Sequence, residues 1–65
     1  MLIKEAAKGM VIINNRPYNV GFNDGDETQF NPTDLDDLED LWETFCKEEG
    51  CAIDSVDYVE QGHEE

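Results

Sequence analysis

The chain has 65 residues, enough for one domain and one small core. A chain this short buries only about 60% of the surface its unfolded form exposes, which leaves little packing to give up for a catalytic cleft. Its 17 acidic and 4 basic residues sum to a formal charge of −13, a surface that repels nucleic acid and anionic lipid and attracts cations and basic patches.

The charge is unevenly placed. Residues 1–23 carry Lys4, Lys8 and Arg16 against Glu5, whereas every other acid falls between residues 24 and 65, opposed by Lys47. No secretory leader is read at the start, because Lys4 and Glu5 follow Met1–Ile3 at once. No apolar run approaches the roughly 18 residues of a membrane span. Two cysteines without such a leader predict reduced thiols and a cytoplasmic setting.

In chain order, MLIKEAAKG (1–9) supports either a helix, through Ala6 and Ala7, or a strand, through Leu2 and Ile3, with Gly9 ending both. MVII (10–13) is apolar and largely β-branched, and Asn14-Asn15 tolerates the positive φ angles of a tight turn. RPYNVGF (16–22) alternates, with Tyr18, Val20 and Phe22 on one side. A two-residue turn would set Ile13 opposite Arg16, Val11 opposite Tyr18 and Gly9 opposite Val20. Pro17 has no N–H, so part of that strand must present an unpaired edge or a non-ladder position.

A second reversal follows in FNDGDETQF (22–30). A three-residue loop, Asn23-Asp24-Gly25, puts Phe22 opposite Asp26, Thr28 opposite Val20 and Phe30 opposite Tyr18, with Gly25 at the left-handed position. A two-residue turn would send Phe30 to the wrong face. Asp26, Glu27 and Gln29 make a poor strand, and an extended loop is the alternative there.

The clearest element is a helix. Leu35, Leu38, Trp42, Phe45 and Cys46 recur at three- and four-residue intervals, with Leu41 on the flank. Asn31 before Pro32 reads as its cap, with Asp34 at the third position; Thr33, with Asp36 three residues on, is the rival. Gly50 ends it. Beyond, CAIDSVDYVE (51–60) reads as a strand with Val56 and Tyr58 on one face, and Ile53, out of phase, predicts a bulge or bend near Asp54-Ser55. Residues 61–65 read as a polar, frayed tail. The expected architecture is α+β: one domain over residues 1–60, a small antiparallel sheet with one amphipathic helix packed on it, approximately β-β-(β)-α-β, with Trp42 and Phe45 on Tyr18, Val20, Phe22 and Tyr58.

Chemistry is sparse. Asp24, Asp26, Glu27 and Thr28 offer oxygens in a turn, but the spacing is not that of a twelve-residue calcium loop. Cys46, Cys51 and His63 fall one ligand short of a zinc site. Cys46 reads as a small core filler, and carboxylate neighbours would keep its proton on. A Cys46–Cys51 bridge would require the chain to fold back at Gly50. The sole histidine lies in the tail and Ser55 is the sole serine, so no nucleophile and base assemble. No catalytic residue, metal or cofactor is expected.

The acidic side of the helix is the candidate binding face: Asp36, Asp37, Glu39, Asp40, Glu43 and Glu48. Asp36–Asp40 and Glu39–Glu43 are like-charge pairs four residues apart, each destabilising by a few tenths of a kcal/mol, about what Glu43–Lys47 would return. A helix selected only for solubility would interleave more Lys or Arg. The best-supported function is a small acidic protein-binding or regulatory module without catalysis, docking on a basic protein surface. Its rivals are a nucleic-acid mimic that inhibits a DNA- or RNA-binding protein and a structural subunit with a merely solvated acidic face. Neither direct nucleic-acid binding nor membrane attachment is expected, and monomer and weak homo-oligomer both remain open.

Overall fold

The computed structural model describes residues 1–62 and shows an α+β fold, a three-stranded antiparallel sheet with helices packed against it. In chain order the elements are α1 (Ile3–Ala6), β1 (Tyr18–Phe22), β2 (Asp26–Phe30), α2 (Leu35–Glu49) and β3 (Val56–Gln61). β1 is central, in the order β2-β1-β3.

The β1–β2 register pairs Phe22 with Asp26, Val20 with Thr28 and Tyr18 with Phe30, as the three-residue loop requires. The left-handed residues of that loop are Asn23 and Asp24, with φ of 51° and 55°, rather than Gly25. Asparagine and aspartate tolerate this region because their short polar side chains can bond locally. Asp26–Phe30 is a full strand despite its charge. Its exposed acids suit an edge, where they discourage further strand pairing.

Residues 10–13 form no strand, and the pairing of Val11 with Tyr18 does not occur. β1 has two edges; β2 takes one and β3 the other, leaving none for this segment. The Asn14-Asn15 turn still forms, with Asn15 at φ 64° and the Arg16 N–H donating to the Ile13 carbonyl, but it joins no strands. The Tyr18 side chain replaces the ladder: the Ile13 N–H donates to its hydroxyl at 2.8 Å, and the hydroxyl donates to the Val11 carbonyl at 3.1 Å. Met10 and Ile12 turn toward the core, and Val11 and Ile13 face outward.

The β1–β3 register slips at one point: Gly21 pairs with Tyr58 but Phe22 pairs with Val56, so Asp57 is an extra residue. The chain does turn at Ile53-Asp54, where the Ser55 N–H donates to the Ala52 carbonyl, but the bulge lies two residues beyond Ser55. It puts Val56 and Val59, rather than Val56 and Tyr58, on the buried face. Tyr58 therefore leaves the expected core and lies on the opposite face, over Gly21. A Cβ at Gly21 would fall 2.0–2.5 Å from the Tyr58 ring, so only glycine admits this crossing.

The helix cap is Asp34, not Asn31 or Thr33. Its carboxylate accepts from the Asp37 N–H at 2.8 Å, and the Asp37 carboxylate accepts at 2.9 Å from the N–H of Thr33, the residue before the cap, a variant of the capping box one turn beyond Asn31. Pro32 is buried before the cap instead of opening the helix. α2 buries Leu38, Trp42 and Cys46 against Val20, Phe22, Val56 and Val59. Phe45 stacks on Trp42 at 5.6 Å and meets Phe22 and Phe30 edge-on at 5.5 and 5.9 Å. Such ring pairs contribute about 0.5–1.5 kcal/mol each beyond the area they bury. Ile3 and Ala7, one turn apart, bring α1 onto α2 and β3. Gln61 belongs to β3, and the Gly62 N–H donates to the Pro17 carbonyl. His63 and the rest of the tail lie outside the described residues.

Candidate protein-docking surface

α2 turns its apolar row onto the sheet, so its polar side faces outward as a unit. Asp36, Asp40, Glu43 and Glu48 are exposed along it, and Asp37 and Glu39 are partly covered. The six do not have one role. Asp37 is engaged in the cap. Asp36 and Glu39 both meet Lys4 of α1, at 3.0 and 3.6 Å. Hydrogen bonding to Asp36, with the charges of Asp36 and Glu39, raises the Lys4 ammonium above its ordinary pKa. The expected Glu43–Lys47 pair does not form; among the described residues the ion pairs of α2 run to Lys4. Asp40, Glu43 and Glu48 are left facing solvent without a partner among those residues.

Beside Glu39 and Glu43 lies a feature that the charge pattern did not disclose. Leu2, Ile3 and Ile53 surround a notch of about 30 Å³ whose floor is Trp42 and whose rim is Glu39 and Glu43. One water needs roughly 10–15 Å³ of such space, so the notch takes the tip of one apolar side chain and no substrate of metabolite size. Leu2 and Ile53 are 44% and 45% exposed, so the walls are open to a partner. The Trp42 indole N–H donates to the Ile53 carbonyl at 2.9 Å, and the Ser55 hydroxyl and N–H both bond the Ala52 carbonyl, which holds residues 52–55 in place. The out-of-phase Ile53 was the sequence signal for this wall. Leu2 carried none, because residues 1–9 read equally as helix or strand.

The open face of the sheet carries a second acidic group. Glu27 accepts a hydrogen bond from the Tyr58 hydroxyl, and Asp57 accepts from the Asp24 N–H at 2.7 Å. The bond to Glu27, with partial burial and the charges of Glu27, Glu60 and Asp57, pushes the Tyr58 phenol up to about 12. Among the described residues no group of three metal-ligating side chains converges, and no helix is long and apolar enough to cross a membrane. Comparison with protein-family models, curated proteins and solved structures finds no match to this chain.

Proposed function

We propose that this protein is a small acidic protein-binding module, regulatory in role and without catalysis, that docks through the outer side of α2 onto a cationic segment of a partner protein. The observation that carries this reading is the juxtaposition of an open apolar notch with carboxylates that have no partner of their own. Leu2 and Ile53 stand over Trp42, with Glu43 on the rim and Asp40 one turn back. An apolar side chain flanked by Lys or Arg is the complement of that surface. Charge would speed encounter, and burial in the notch would slow release. A second copy of the chain is a poor occupant, since the same carboxylates would face one another.

Mimicry of a nucleic acid calls for one unbroken carboxylate track. Glu27 lies on the face of the sheet away from α2, bonded to Tyr58, and Asp57 is tied to the Asp24 N–H, so these acids do not extend the helix row, which favours a local docking patch. The test is capture from cell lysate at low and high salt by the wild-type protein, by a D36N/D40N/E43Q variant and by I53S, with circular dichroism confirming the fold of each. Docking through this surface predicts one salt-sensitive partner, lost in both variants. Capture that survives both would move the interface to the sheet, and release of the partner by DNA would favour mimicry.

A further inference from the structure

At the C-terminal end of α2 the chain folds back. Gly50 takes φ 76°, and the N–H groups of Gly50 and Cys51 both donate to the Cys46 carbonyl, at 2.7 and 3.1 Å. The second bond closes a Schellman turn, which brings the side chain two places beyond the helix end against the one that opened the last turn. Here those two residues are Cys51 and Cys46, and both are free thiols. Covalent lengths on either side of the 3.1 Å contact bound the Cα separation at about 7 Å when fully stretched, and any bend in that path shortens it. That is within the reach of a disulfide. Cys46 is buried, while Cys51 is half-exposed.

We propose that Cys46 and Cys51 form a reversible thiol–disulfide pair, a modification site at which a small-molecule disulfide of the glutathione class closes a bridge across the end of α2. The half-exposed Cys51 reacts first. Its sulfur, having lost a proton to solvent, attacks one sulfur of the oxidant and breaks that S–S bond. One glutathione leaves as a thiolate and takes up a proton. Cys46 then loses its proton, attacks the Cys51 sulfur of the mixed disulfide and expels the second glutathione. Two protein thiols are oxidised, and one disulfide is reduced to two thiols.

The second step is the slow one. Burial, then the adjacent Cys51 and the charge of Glu43, push the Cys46 thiol up to about 12, which leaves little thiolate at neutral pH. The Cys46 thiol donates to the Ala52 carbonyl at 3.7 Å, and closure gives up that weak bond in exchange for a covalent tie between α2 and Cys51. This inference stands on the turn geometry and is independent of the docking reading.

The test equilibrates the folded protein, and the same chain in urea, against one fixed mixture of reduced and oxidised glutathione, with intact mass read after acid quenching and alkylation. The fold should favour the intramolecular bridge by about tenfold or more over the unfolded chain, and the bridged form should melt a few degrees higher than the reduced form. C51S should give no bridged product, and because it leaves the buried Cys46 untouched it keeps the core intact. Equal bridging in folded and unfolded chains would overturn the proposal. So would products that stop at one glutathione on Cys51 or at dimers between chains.

Discussion

On the open face of the sheet the carboxylates are engaged with their own chain: Glu27 with the Tyr58 phenol, Asp57 with the Asp24 N–H. On the outer side of α2 the first acids are likewise engaged, Asp37 in the cap and Asp36 and Glu39 with Lys4, but Asp40 and Glu43 are not. The two faces share a sign of charge and differ in how their carboxylates are engaged. Counting acids says only that the helix carries more of them. Tracing each carboxylate to its partner separates structural acids from those free to meet another protein.

The largest effect expected comes from Trp42, the core residue that floors the notch on the α2 side. W42A should cost about 3–5 kcal/mol in urea unfolding, comparable with the whole stability of a domain this size, and should leave little folded protein. W42F keeps most of the volume but strips the Ile53 carbonyl of its donor. Its loss should be about 1–3 kcal/mol, with faster hydrogen exchange concentrated in residues 52–55.

On the sheet face, G21A should cost about 1–2 kcal/mol by driving the Tyr58 ring off the sheet. In the background of Y58A the same change should cost much less, because the collision is gone. Equal costs in both backgrounds would mean that the ring does not lie across Gly21. At the start of α2, D34A should cost about 1 kcal/mol and D34N less, whereas N31A should be nearly silent; this separates Asp34 from its rivals as the cap.

A smaller effect concerns pH. The folded pKa of Tyr58, about 12, lies above the ordinary value of 10.0, so the contribution of its bond to Glu27 is complete below pH 10 and is lost as the pH rises toward 12. The carbon resonances of the Tyr58 ring should titrate near 12 in the wild type and closer to the ordinary value in E27Q. Smallest of all, K4M removes two exposed ion pairs and should leave the urea midpoint almost unchanged. It should nevertheless make the stability more salt-dependent, because Asp36 and Glu39 would then join the unpaired acids.

What could be read from the residues themselves was whatever depends on near neighbours in the chain. The period of Leu35, Leu38, Trp42 and Cys46, the stop at Gly50 and the three-residue β1–β2 loop each rest on a few adjacent side chains and backbone angles. The register of Phe30 against Tyr18 followed from the same local logic, since the alternative turn would have exposed an apolar face. The alternation of Asp36, Asp40 and Glu43 with the leucine row likewise placed the acidic side outward.

What only the tertiary structure decided was competition between distant segments. Residues 10–13 and 56–61 both carry strand-like patterns, and nothing local says which of them takes the second edge of β1. β3 prevails, and Tyr18 then satisfies the backbone of the displaced segment with its hydroxyl. The one-residue bulge at Asp57 reversed the facing of Tyr58, because side chains alternate and a single inserted residue exchanges the two faces. The notch lay beyond sequence reading for the same reason. Leu2, Ile53 and Trp42 become neighbours only after α1 and the 51–55 turn settle against α2, a packing outcome that no pattern within any one segment encodes.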